Sequence, residues 1–307
     1  MKRLVVVLVL SVGVSTSAAA AQSDHRARPH RVHATAVEQP LDLGVAAKAR
    51  ALDVKSAAAL VVGQEDGQAL YAKNTDAVLP IASITKLMTA MVVLDSELPL
   101  AEPIAITPED IDDIKGTRSR LRVGTRLARG ELLRLALMSS ENRAAAALAR
   151  AYPGGARAFV AAMNQKAVEL GMWRSRFVDG TGLSSDNVST AGEVAKMVGA
   201  AYRYPVIREY TTDASYTVRL ANGRTLRYRN SNRLVQDRQW RIGLSKTGYI
   251  SEAGRCLVMQ ARIAATPVII VLLDSWGRLT RIGDANRIKK WIESSSAPRS
   301  GGRPSEG

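Results

Sequence analysis

The sequence predicts an α+β fold: one antiparallel sheet formed where the two ends of the folded body meet, flanked by helices and interrupted by a helical insertion. Three observations lead there. Strand patterns stand near the start of the body, helical periodicity fills its middle third, and strand patterns return toward its end. Length and composition agree, since 307 residues that are 46% hydrophobic can bury a sizeable core.

In chain order, Met1-Lys2-Arg3 is a short positive start, and an apolar run follows from Leu4 to Leu10. Ala19-Ala20-Ala21 then fits a small-residue cleavage site. The pattern predicts a signal peptide over 1–21, cleaved near Ala21, and an exported, periplasmic protein. The run falls short of the ~20 apolar residues that span a bilayer, so no transmembrane anchor is expected. Residues 22–44 are rich in His, Arg, Pro and Ala without periodicity and read as a flexible linker. Residues 45–293 are the folded body. Residues 294–307, rich in Ser, Pro, Gly and Arg, read as a disordered tail.

Within the body, Ala57 to Val62 and Gln68 to Ala72 flank Glu65-Asp66-Gly67 and predict a hairpin. Ser83 to Asp95 carries Ile84, Leu87, Met88, Met91 and Val92 at helical spacing. Glu131 to Met138, the Ala-rich Asn142 to Tyr152, and Ala158 to Gly171 are further helices. Thr190-Ala191-Gly192-Glu193 resembles a capping box that opens a fourth helix of this region. The period then changes. Tyr216 to Leu220 and Thr225 to Tyr228 surround the turn signal Asn222-Gly223. Arg241 to Tyr249, Arg255 to Ile263 and Pro267 to Leu273 are strands, and Arg281 to Glu293, with Ile282, Ile288 and Ile292, closes with a helix.

Composition narrows the chemistry. His25, His30 and His33 are the only histidines, all upstream of the body, so an imidazole base or ligand is not expected there. One cysteine permits no internal disulfide and no Cys-rich metal site, and no metal or cofactor is expected. Cys256, among apolar neighbours, reads as a core thiol. The charge of +15 favours anionic partners. Nucleic acid is not among them, because the basic residues are spread along the chain with few aromatics and an export signal precedes them.

Three motifs carry the chemistry. In Ser83-Ile84-Thr85-Lys86, a hydroxyl and an amine at i and i+3 share one helix face. A lysine can take the serine proton once burial and a nearby cation lower its pKa. Ser140-Glu141-Asn142 follows the apolar helix ending at Met138. A hydroxyl at such a break can relay a proton to a leaving amine, and the amide can hold a substrate backbone. Ser185-Asp186-Asn187 spells the same motif but sits among turn residues, where local hydrogen bonding explains it. Lys246-Thr247-Gly248 leads out of a strand: its cation suits a carboxylate, and its glycine leaves room for a bound backbone along the strand edge. Each is weak alone; together, in this order, they are specific.

On these motifs the chain resembles the low-molecular-mass penicillin-binding proteins, in particular the penicillin-binding protein 7/8 type D-alanyl-D-alanine endopeptidases. The likeness runs from Ala57 to Glu293. It includes Pro80 to Ala90, Leu135 to Ala144, Thr247-Gly248-Tyr249 and Gly254 to Met259. The resemblance implies the serine DD-peptidase/β-lactamase-like fold. Ser83 would attack a D-Ala carbonyl of a peptidoglycan stem peptide with Lys86 as base, and Ser140 would pass the proton to the leaving amine. A water-linked Ser140–Lys246 pair is the other candidate base. Asn142 would orient the peptide, Lys246 and Thr247 would hold a carboxylate, and the backbone N–H groups of Ser83 and Tyr249 would form the oxyanion hole. β-Lactam antibiotics would be covalent inhibitors.

Against a carboxypeptidase, the tail after Glu293 is polar and carries neither a second β-rich domain nor an amphipathic helix. Against a class A-like β-lactamase, Val178 to Ser184 lacks the E-x-x-L-N pattern that activates a deacylating water. A non-catalytic wall-binding protein would not need all three motifs. Arg118 and Arg120 lie in a basic loop of the insertion, read as solvated.

Overall fold

The computed structural model describes residues 52–296. The expected signal peptide and linker, and the tail beyond Ser296, lie outside the described residues. Strands β1 (Ala58–Gly63) and β2 (Ala69–Lys73) form the first hairpin. A two-residue strand β3 (Leu79–Pro80) leads into a 3-10 turn (Ala82–Thr85) and helix α1 (Lys86–Asp95). The sequence reads Ser83 to Asp95 as one helix; the structure makes its first turn 3-10 and places Ser83 in it. Ala82 starts that turn in the left-handed region at φ 47°, a conformation the α-helical pattern does not contain.

The insertion holds β4 (Pro103–Ala105) paired with β5 (Arg126–Ala128), then α2 (Arg129–Met138), α3 (Asn142–Arg150) and α4 (Gly155–Glu169). Strand β6 (Val188–Ser189) pairs with β3, and helices α5 (Ala191–Ala201) and α6 (Pro205–Thr212) follow. The sequence reading passes over α6, an eight-residue helix with Pro205 in its first turn and only Ile207 and Thr211 buried. The capping box at Thr190 is half formed. Its hydroxyl accepts from the Glu193 N–H at 3.1 Å, but the Glu193 carboxylate turns to Arg174 N and Ser175 Oγ instead.

Strands β7 (Ser215–Arg219) and β8 (Thr225–Arg229) form the Asn222-Gly223 hairpin. The chain closes with β9 (Arg241–Ile250), β10 (Gly254–Ile263), β11 (Thr266–Ser275) and helix α7 (Thr280–Ser296), which runs past the expected end at Glu293. The main sheet is antiparallel in the order β2-β1-β11-β10-β9, so the two ends of the body meet as β1 against β11. Both faces are covered. Along β11, Ile269, Val271 and Leu273 enter the core shared with the helical body, while Val268, Ile270 and Leu272 pack against α7 through Ala285, Ile288 and Ile292. This period-2 division explains why the strand reads as a continuous apolar run. Cys256 on β10 is fully buried, its thiol pushed up to about 12 by burial. Strand β9 stands at the sheet edge, and that edge meets the turn carrying Ser83. No helix among the described residues is long and apolar enough to cross a membrane.

Candidate active site

The three motifs converge on one cavity of about 220 Å³. Ser83, Ser140, Asn142, Thr247, Gly248 and Tyr249 line it, together with Arg281. Lys86 and Lys246 lie beneath it, 0% and 1% exposed.

Local structure aims each group. The 3-10 turn holds Ser83 beside Lys86, whose Nζ is 2.9 Å from Ser83 Oγ, 2.7 Å from Asn142 Oδ1 and 2.6 Å from the Thr181 carbonyl. Ser140 follows the C-terminus of α2 in the left-handed region at φ 62°, a place glycine usually takes. The Glu141 N–H reaches back to the Leu135 carbonyl there, and the Glu141 carboxylate caps α3 through the Arg143 N–H. Lys246 Nζ donates to Ser140 Oγ at 2.9 Å and to the Thr247 carbonyl at 2.8 Å, while Thr247 Oγ1 donates to Ser231 Oγ. In the β9–β10 register Gly248 faces Cys256 and Tyr249 faces Arg255. A Cβ at Gly248 would stand 2.9 Å from the Ile81 carbonyl and 3.1 Å from Ser83 N, so only a bare backbone lets the strand edge approach the serine.

Burial works against the charged form of both amines. Burial lowers Lys86 to about 7 against the opposing pull of Asp179, Glu141 and Asp112. Lys246 is held well below the ordinary lysine range by burial, with the Lys86 and Arg281 charges acting in the same direction. The sequence reading names burial and a nearby cation for Lys86; burial is the cause that lowers it, and the repulsion between the two lysines acts on Lys246. Of the three partners of Lys86, two are carbonyl-type acceptors. A neutral Lys86 therefore has one neighbour able to donate to its lone pair, the Ser83 hydroxyl.

Sequence reasoning missed three supports. The Thr181 carbonyl is aimed by Asp179, whose carboxylate accepts from the N–H groups of Thr181, Gly182 and Ser184. Asn187, fully buried, braces this loop by accepting from Val178 N and donating to Asp179. The rival motif is thus a loop brace, away from the cavity lining. Gly182 presses on Ala82: a Cβ there would stand 2.1 Å from the Ala82 carbonyl. Arg281, read only as the start of the last helix, is the third. Its Nε and Nη1 are buried without a hydrogen-bond partner, a guanidinium prepared for an anion. Arg118 and Arg120 are exposed, as read, but border a second cavity next to the first.

A family model described as peptidase family S11, D-alanyl-D-alanine carboxypeptidase, matches residues 45–277. The chain is 49% identical over 242 residues to a D-alanyl-D-alanine endopeptidase of Pseudomonas aeruginosa and 46% identical over 242 residues to one of Escherichia coli K12, in both cases over 78% of this chain and 78% of the relative. Its fold is similar to the Streptomyces K15 DD-transpeptidase crystal structure, with a TM-score of 0.73 at 27% identity over 78% of this chain and 97% of that one. The fold is that of the serine DD-peptidases, and the chain belongs to the D-alanyl-D-alanine carboxypeptidase family of serine peptidases.

Proposed function

We propose that this protein is an exported, periplasmic serine DD-endopeptidase that hydrolyses D-Ala–diaminopimelate cross-links of peptidoglycan through an acyl-enzyme. One observation carries the reading: two serine–lysine pairs, Lys86 with Ser83 and Lys246 with Ser140, each at 2.9 Å, meet at one cavity that a partnerless guanidinium also lines. The two endopeptidase relatives support the choice of cross-link over terminal D-Ala.

In this mechanism Ser83 Oγ attacks the D-Ala carbonyl carbon while its proton passes to the neutral Lys86 amine. The tetrahedral oxyanion is held by the backbone N–H groups of Ser83 and Tyr249. Asn142 orients the peptide, and Lys246, Thr247 and Arg281 hold the carboxylate beside the scissile bond, Gly248 leaving the strand edge open to the substrate backbone. When the C–N bond breaks, Ser140 delivers a proton to the departing amine and is reprotonated from the lysine pair. Water then attacks the ester, giving a free D-Ala carboxylate and Ser83. A β-lactam follows the first half of this path, but its leaving amine stays tethered. That amine stays over the ester and blocks the approach of water, so the penicilloyl ester persists.

The test compares purified cross-linked muropeptide dimers with monomeric pentapeptide by mass spectrometry. Loss of dimers without release of terminal D-Ala is expected. Release of D-Ala with dimers intact would make the protein a carboxypeptidase, the activity that describes its family model. Rapid steady-state turnover of nitrocefin would make it a β-lactamase. Penicillin labelling that survives Ser83→Ala would remove the catalytic assignment.

A further inference from the structure

We propose that a second cavity, walled by Arg118, Arg120 and Tyr228, is the subsite that receives a carboxylate of the amine-donating peptide strand in a cross-linked substrate. The inference rests on the endopeptidase reading and adds to it the residues that recognise the second strand.

Volume is the first argument. The cavity holds about 410 Å³ and adjoins the smaller one that contains Ser83, with Ser140 and Asn142 lining both. In the proposed mechanism the leaving amine stands at Ser140. A terminal D-Ala ends close to that point and has no use for more room. A cross-linked strand continues past its amine, and the cavity that shares Ser140 with the first offers it room.

Charge is the second. Arg129, Arg134 and Arg150 each pair with an acid. Arg118 and Arg120 have no ion pair among the described residues and stand exposed. Arg120 is nonetheless held in place. Its guanidinium lies 3.8 Å over the Tyr228 ring and donates one N–H to the Arg227 carbonyl, which leaves donors of its planar fork for a carboxylate. The Tyr228 hydroxyl, on a side chain 1% exposed, has no hydrogen-bond partner. Glu141 is the acid of the cavity, and its carboxylate is engaged in capping α3.

Preorganisation is the third. The loop before Arg118 is fastened to the cleft: Asn142 Nδ2 donates to Thr117 Oγ1 at 2.9 Å, and Asp112 accepts from Thr117 N and Oγ1. Lys115 in the same loop pairs with Glu252 in the β9–β10 turn. Arg118 therefore projects from an ordered loop, which reduces the entropy lost on capturing an anion. Arg120 also borders a further cavity with Arg122, Arg126 and Arg224, so positive charge continues outward along the path of a longer strand.

The test uses the mature protein with Arg118→Ala, Arg118→Glu and Arg118→Lys. Arg118 is chosen because Arg120 also supports the Tyr228 wall. Expected are a fall in kcat/KM on cross-linked dimers of roughly tenfold for Ala, carried mainly by KM, a larger fall for Glu, and partial recovery for Lys. The second-order rate of acylation by fluorescent penicillin stays within about twofold, because a penicillin presents no second strand. Dimer cleavage unchanged in Arg118→Glu overturns the subsite while leaving the endopeptidase reading intact. Dimer cleavage and penicillin acylation falling together also overturn it, since the loop would then act by supporting the Ser83 cleft. A wild-type protein that labels with penicillin at Ser83 yet cleaves no dimer removes the endopeptidase reading, and the subsite with it.

Discussion

Lys86 Nζ stands 2.9 Å from Ser83 Oγ, and Ser83 is the one of its three hydrogen-bond partners that has a proton to give. With Lys86 lowered to about 7 by burial, the rate of Ser83 acylation by penicillin should rise with pH through about 7 and then level off. A stopped-flow profile from pH 5 to 9 checks this; a flat profile, or a limb near the ordinary lysine value of 10.5, contradicts it. The same group acts on stability. Between about 7 and 10.5 the unfolded chain binds a proton at Lys86 that the native protein does not, so this contribution to stability increases with pH over that window.

Ser140 holds a left-handed backbone at φ 62° that glycine would hold without strain. Replacing it by glycine or by alanine removes the same hydroxyl but treats the backbone differently. Ser140→Gly should be more stable than Ser140→Ala by about 1 kcal/mol in urea denaturation. Both should lose about 100-fold or more in acylation rate. Equal stabilities would mean the turn relaxes, and retained acylation in either would remove Ser140 from proton transfer.

Gly182 and Gly223 both have positive φ, at 78° and 80°, yet only Gly182 faces a wall. Gly223→Ala, with nothing within 4 Å of the new Cβ, should cost about 1 kcal/mol. Gly182→Ala drives its Cβ into the Ala82 carbonyl and should cost at least about 3 kcal/mol while abolishing penicillin labelling. Similar melting temperatures for the two variants would show that the Ser83 turn is not clamped by the 179–184 loop.

Arg281 keeps two buried nitrogens without partners beside Ser83. Arg281→Ala should weaken penicillin acylation by roughly tenfold to a hundredfold. Its melting temperature should match or exceed that of the parent, since an unsatisfied cation is removed. Loss of both activity and stability would instead make Arg281 a packing residue.

Much of this site is legible in the sequence because its groups come in short local motifs whose spacing is fixed by a turn or a strand. Ser83 with Lys86, and Lys246 with Gly248, need only local geometry to be recognised. The same holds for the sheet: β9, β10 and β11 are long apolar runs, and β1 stands out against Glu65-Asp66-Gly67. What escapes is whatever depends on distant chain segments. The Thr181 carbonyl has no side-chain signature, Asp179 matters through loop N–H groups, and Arg281 lies 35 residues beyond Lys246, on another element. The short helix α6 escapes for a related reason: with only Ile207 and Thr211 buried, its apolar stripe is too thin to show a period.

The protein also carries its own timer. Cys256 supplies its sole sulfhydryl, and that sulfur is sealed at 0% exposure on the strand that pairs Gly248 with it in the register. A disulfide reagent reaches it only when the core that covers this face of β10 opens, so the colour released by the unaltered enzyme counts openings next to the strand that flanks Ser83. Occupancy by a penicilloyl group, by anchoring the edge of that strand, should slow the clock.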